Sequence, residues 1–124
     1  MNKSKLFTRL MILSNDEFKN FGKFVISPYF NTNPSIISFY KIIEKYFPKI
    51  SHSQLSKEAV FKKIYPKKNY SDRYMRNLML EMNQLLKKFL IQEELQAQKN
   101  VQNELLMDAY IRKYDIDSFK SLFD

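Results

Sequence analysis

Apolar residues recur at three- and four-residue steps along almost the whole chain, the spacing of one face of an α-helix. Leu6, Phe7, Leu10 and Leu13 predict a first short helix over residues 4–13. The next start is marked by chemistry as well as spacing. Ser14, followed three residues on by Glu17, forms a capping box in which hydroxyl and carboxylate satisfy free amides of a first turn. A second helix follows, burying Phe18, Phe21 and Val25, and Pro28 ends it because the residue before a proline is pushed out of the helical region. Asn33 and Pro34 read as an N-cap followed by proline at the first helical position, where its missing N–H costs nothing. Ile36, Tyr40, Ile43 and Phe47 make the buried stripe of this third helix, Pro48 closes it, and residues 49–54 are a polar connector.

Ser56 caps a short fourth helix that ends before Pro66, with Leu55 and Val60 placed as a hydrophobic staple and Phe61, Ile64 and Tyr65 extending the face. The device recurs at the fifth helix, where Ser71 is the cap and Tyr70 and Met75 the staple pair. That helix is the most regular: Met75, Met79, Met82, Leu86 and Phe89 form a stripe that Leu78 and Leu85 widen. A core role accounts for its methionines. Residues 92–103 turn polar, then Val101, Leu105, Leu106, Ala109 and Tyr110 predict a sixth helix. Asp117 is placed to cap a seventh carrying Phe119, Leu122 and Phe123. One glycine and four prolines leave few of the backbone positions that hairpins need. The expected class is therefore all-α: stacked antiparallel helix pairs, about six helices, forming one domain over residues 1–114. Residues 115–124 are expected to open a further helix, as in the front end of a longer helical-repeat protein. The apolar residues there predict stronger self-association than in a chain ending at Tyr114.

With 44% hydrophobic and 27% charged residues over 124 positions, the chain has the composition of a globular domain and enough length to bury a core. It has no cysteine, which removes disulfides, thiolate nucleophiles and Cys-based zinc sites together. Arg9 interrupts the apolar stretch near the N-terminus and no small-residue cleavage site follows, unlike a secretory signal. The longest unbroken apolar run, residues 10–13, is far short of a membrane span. These features predict a soluble cytoplasmic protein with no membrane partner, in which the Asn-x-Ser patterns at Asn2 and Asn69 carry no glycan.

Charge changes the picture most. Residues 1–68 hold 13 basic and 4 acidic side chains, net +9, while residues 69–124 hold 8 and 9, net −1, together the +8 of the chain. The densest cluster, Lys57, Lys62, Lys63, Lys67, Lys68, Arg73 and Arg76, surrounds the junction of the fourth and fifth helices. Two partner classes fit it. The first is a protein with an acidic surface, bound by a non-catalytic helical scaffold. The alternative is nucleic acid, held on residues 57–77 in the outline of a helix-turn-helix. Arg73, Arg76 and Asn77, off the apolar stripe, would reach bases or phosphates, while Lys62, Lys63, Lys67 and Lys68 held the backbone beside Tyr70 and Tyr74. Against the alternative, the connection is long for that motif, and Lys outnumbers Arg 17 to 4 although Arg is the better base reader.

Nothing in the sequence is arranged for catalysis, a cofactor, a metal or a small-molecule substrate. His52 is the only histidine and lies in the polar connector; Gly22 is alone, with no glycine-rich phosphate loop. Asp16 and Glu17, like Glu93 and Glu94, are sequence neighbours that splay over different helix faces. Activity lost on changing His52 or Glu81 would be needed to make the chain an enzyme.

Several residues taken in order carry a resemblance: Leu13 and Ser14, Glu17 and Phe18, Phe21 and Phe24, the run from Ser27 to Asn31, Leu55 and Ser56, Phe61, Tyr65 and Pro66, Tyr70, the run from Arg76 to Met79, and Phe89 and Leu90. Through them the chain resembles the N-terminal region of an uncharacterised family of bacterial all-helical proteins, usually several hundred residues long. The similarity covers most of residues 10–115 and is most specific at residues 27–31 and 76–79. It implies paired helices stacked like a tetratricopeptide solenoid, a lean toward scaffolding, and no catalytic residues to carry over.

Overall fold

The computed structural model describes residues 5–49, 55–114 and Lys120. Six helices account for most of them: α1 Lys5–Met11, α2 Asn15–Ile26, α3 Pro34–Glu44, α4 Lys57–Ile64, α5 Asp72–Gln96 and α6 Lys99–Lys113, with no strand among the described residues. The chain divides into two compact units, Met1–Phe89 and Leu90–Asp124.

In the first unit the helix ends follow local chemistry. The Glu17 N–H donates to Ser14 Oγ at 3.1 Å while the Ser14 N–H donates to Glu17 Oε1 at 2.8 Å, so the capping box is complete. Such a cap contributes about 1 kcal/mol. α2 ends at extended Ser27, as Pro28 demands. The loop that follows is held by Asn31, 7% exposed, whose Nδ2 donates to Val25 O at 2.9 Å and whose Oδ1 accepts from the Asn33 N–H at 3.0 Å. Asn33 Oδ1 in turn accepts from the Ser35 N–H at 3.0 Å, capping α3 ahead of Pro34.

Phe18, near the start of α2, stacks on Tyr40, near the end of α3, with ring centroids 4.9 Å apart, so the two helices run antiparallel. The Tyr40 hydroxyl donates to Phe18 O at 2.8 Å, and burial, reinforced by the Glu44 charge, pushes that phenol up to about 12. Phe7 of α1 meets Phe39 of α3 edge-on at 6.4 Å, and Arg9 donates to Asn83 Oδ1 of α5 at 2.8 Å. Phe89 of α5 lies against Phe21 at 5.4 Å and Phe24 at 5.7 Å. Each large apolar side chain so buried is worth about 1.5–3 kcal/mol.

Two details differ from the sequence expectation. α3 ends at Glu44, not at Pro48, and the chain closes with a turn in which the Tyr46 and Phe47 N–H groups both donate to Ile43 O at 3.0 Å. Phe47 is therefore not the last residue of a helical stripe; it leaves a turn, half-buried, to stack on Phe18 at 4.0 Å. Met79, expected in the α5 stripe, is also only half-buried.

In the second unit, α5 continues to Gln96 and α6 begins at Lys99, so the polar stretch over residues 92–103 is helical on both sides of a short turn. Glu, Gln and Lys are good helix formers, and propensity prevails here where no apolar stripe guides the eye. The turn is closed by Gln98 N–H to Leu95 O at 3.0 Å, and Gln102 Nε2 donates to the same carbonyl at 2.6 Å. No residue of α6 is buried. The expected seventh helix and the apolar residues at 119, 122 and 123 lie outside the described residues, as does His52.

Candidate functional site

The basic cluster is carried by α4, the start of α5 and the connector between them. Ser56 Oγ accepts from the Ala59 N–H at 3.2 Å, and Leu55 and Val60 on either side of the cap are both fully buried, which anchors α4 and leaves its last turn, with Lys62 and Lys63, to solvent. α4 stops where the Tyr65 N–H bonds Phe61 O at 2.8 Å, ahead of Pro66. The connector bends back through Lys68 N–H to Tyr65 O at 3.1 Å, and Ser71 Oγ accepts from the Tyr74 N–H at 3.3 Å to open α5.

Tyr70 departs from its expected role. It stays 39% exposed while Met75 is fully buried, its ring edge-on to Phe61 at 5.4 Å and its hydroxyl donating to Asp72 Oδ1 at 2.9 Å. The nearby carboxylate offers its phenol a better partner than an apolar staple does.

All seven candidate residues are exposed, but they are not equivalent. Lys62, Lys67 and Arg73 make no hydrogen bond or ion pair among the described residues. Lys63 Nζ donates to the Tyr46 hydroxyl at 3.4 Å and sits 5.7 Å from that ring's centre. Lys68 is clasped by two aromatic faces, its Nζ 5.3 Å from the Tyr65 centroid and 5.0 Å from that of Tyr74. Each such contact is worth about 0.5–1 kcal/mol at an exposed site. Arg76 is committed to Asp72, Nε to Oδ2 at 2.9 Å, one turn back on the same helix. Asn77 borders a shallow pocket of about 200 Å³ with Asn33, Tyr65, Tyr74, Leu78 and Glu81.

Asp72 is the member of this cluster that sequence reasoning missed. It also pairs with Lys57 Nζ at 3.6 Å, so one acid ties the start of α4 to the start of α5 and partly neutralises two cations of the cluster. The hydrogen bond from Tyr70, then the charges of Lys57 and Arg76, hold its carboxyl below the usual carboxylate range. Partial desolvation and the same hydrogen bond push the Tyr70 phenol up to about 12. Its position in the first turn, four residues before Arg76, was the signal.

No family model, curated protein or solved structure matches this chain. Its site is read from its own geometry alone. That geometry offers ammonium and guanidinium donors beside exposed tyrosine rings, an arrangement suited to holding anions and flat or apolar groups. Glu81 is exposed and accepts from Asn33 Nδ2 at 2.9 Å. Among the described residues no three His, Cys, Asp or Glu side chains converge as a metal site would require. None of the described helices is long and apolar enough to cross a membrane.

Proposed function

We propose that this chain is a non-catalytic interaction module that takes an acidic segment of a protein partner on the face built by α4, residues 65–71 and the first turns of α5. One observation carries the reading: Lys62, Lys67 and Arg73 stand exposed without an intramolecular acid among the described residues, interleaved with Tyr70 and Tyr74, 39% and 48% exposed. Cations set orientation and steer encounter, while tyrosines supply contact area at small entropic cost. Asp72 contributes specificity by repelling carboxylates placed at its own turn, leaving the lysine end of the face for the partner. Helices packed side by side present extended surfaces suited to such a partner.

Fluorescence anisotropy against a labelled peptide of alternating Glu and Leu tests this. The chain is expected to bind it at one-to-one stoichiometry, and reversing Lys63, Lys67, Lys68 and Arg73 to Glu is expected to weaken binding about a hundredfold or more, since each lost charge contact at an exposed face is worth up to ~1 kcal/mol. Unchanged binding by the reversed protein contradicts the reading.

A further inference from the structure

A second pattern on α5 stands apart from the cations. Tyr74, Asn77, Leu78 and Glu81 follow one another at three- and four-residue steps, so they share a face over two turns. Leu78 is buried, while Tyr74, Asn77 and Glu81 are exposed. With Asn33, the cap of α3, and Tyr65, at the end of α4, they line the shallow pocket of about 200 Å³. That volume suits a small head group, below the roughly 300–1,000 Å³ of sites for drug-sized ligands.

Three features of the pocket point to a cation with an organic shell. Its wall is an aromatic corner, the Tyr65 and Tyr74 rings standing edge to face with centroids 6.2 Å apart and planes at 66°. An ammonium already rests on those rings, since Lys68 Nζ is 5.3 Å from one centroid and 5.0 Å from the other, although Lys68 does not line the pocket. Its rim is a carboxylate that is held in place and not neutralised. Glu81 Oε2 accepts from Asn33 Nδ2 at 2.9 Å, Asn33 is itself fixed through Oδ1 by the Ser35 N–H, and Glu81 makes no ion pair among the described residues. Aromatic faces attract cations through the ring quadrupole, and quaternary ammonium groups are recognised in this way.

We propose that the pocket binds an alkylammonium head group, which displaces Lys68 from the two rings. Lys68 is exposed and is held there by two contacts of the weak, solvent-exposed kind, with no carboxylate. A ligand ammonium gains the same rings together with the Glu81 carboxylate and apolar contact with Leu78. A metal ion fits less well, because one carboxylate and two side-chain amides beside aromatic faces do not supply its set of oxygen ligands. The site goes beyond the acidic-segment reading: its ligand carries the opposite charge and meets Glu81, which plays no part in that face.

Choline, titrated into the full chain and followed by backbone amide NMR, tests the proposal. Saturable shifts centred on Tyr65, Tyr74, Asn77 and Glu81 are expected, with a dissociation constant on the order of a millimolar. The neutral isostere, with a tert-butyl group in place of the trimethylammonium, is expected to bind at least about tenfold more weakly. Glu81→Gln, which keeps an oxygen for Asn33, and Tyr74→Leu are each expected to weaken choline binding about fivefold. Lys68→Gln removes the resident ammonium and is expected to tighten it about threefold. A neutral peptide carrying a single trimethyllysine distinguishes the sources of the head group. Binding about tenfold tighter than choline assigns the site to a partner's side chain, and binding no tighter assigns it to a free small cation. The proposal is overturned by an absence of saturation at tens of millimolar, by equal binding of the isostere, by indifference to both Glu81→Gln and Tyr74→Leu, or by weaker binding in Lys68→Gln. The acidic-peptide titration above uses a probe of opposite charge, so either result stands without the other.

Discussion

A Phe21→Ala protein is expected to lose about 3–5 kcal/mol of folding free energy, the cost of deleting a fully buried ring and leaving its cavity unfilled. Phe21 is 0% exposed and touches Tyr40 at 6.0 Å and Phe89 at 5.4 Å, so one side chain joins α2, α3 and α5. The surrounding helices cannot all collapse into the gap, because α2 and α3 are also pinned by the Phe18 stack and the Tyr40 hydrogen bond. Single domains are stable by about 5–15 kcal/mol, so the loss is a large share of the total. Urea unfolding followed by circular dichroism measures it. A midpoint shifted with unchanged slope, equivalent to 3–5 kcal/mol, is the expected outcome; a loss below about 1 kcal/mol contradicts the packing described for this unit.

Gly22→Ala is the second large effect and the less intuitive one. Helix propensity alone favours alanine by about 1 kcal/mol in a helix interior. Here a methyl group at Gly22 meets the Tyr40 ring, 2.5 Å from Cζ and 2.7 Å from Cε1, and also crowds its hydroxyl oxygen. The ring has nowhere to go. It is 4% exposed, stacked on Phe18 and tied through its hydroxyl to Phe18 O. Overpacking of about 1–3 kcal/mol, added to a strained or broken buried hydrogen bond worth about 1 kcal/mol, outweighs the propensity gain. The expected net loss is about 1–3 kcal/mol. In a Tyr40→Leu background the same change is expected to cost much less, because the ring that it strikes is gone. A Gly22→Ala protein more stable than the parent contradicts the close approach.

These two neighbours illustrate what the sequence could and could not convey. Phe21 was legible as core from its spacing with Phe18 and Val25, just as the caps at Ser14, Asn33 and Ser56 were legible from residue type and offset. Such signals are local: a hydroxyl finds an amide within its own turn whatever the rest of the chain does. Gly22 looked like an isolated helical glycine, because its reason is a tyrosine eighteen residues on that no local pattern can reveal. The end of α3 was misjudged for a related reason. Pro48 disfavours the helical conformation just before it, but α3 has already ended at Glu44, and Phe47 stacks on Phe18 from the turn that follows.

The candidate face shows the same division. Exposure of Arg73, Arg76 and Asn77 followed from their positions off the apolar stripe, and all three are exposed. What each cation does there was not legible. Lys68 lies between rings from the connector and from α5, and Lys57 reaches Asp72 across an intervening bend. Those contacts depend on how α4 and α5 fold back on each other, which periodicity does not encode. Asp72 alone could have been found, as an acid in a first turn four residues before an arginine.

The measurement that tests the central claim most directly is the salt dependence of binding at this face, comparing the acidic peptide with single-stranded RNA and duplex DNA. Nucleic acid held through several phosphates releases condensed counterions, so log affinity falls with log salt at a slope near −0.9 per contact for duplex and about −0.7 for single strands. The account predicts a shallow slope and one-to-one saturation for the peptide, with nucleic acid bound only at low salt. Micromolar or tighter binding of RNA or DNA that persists at physiological salt, falls steeply beyond it and is lost on reversing Arg73 and Arg76 contradicts the account and makes this a nucleic-acid face.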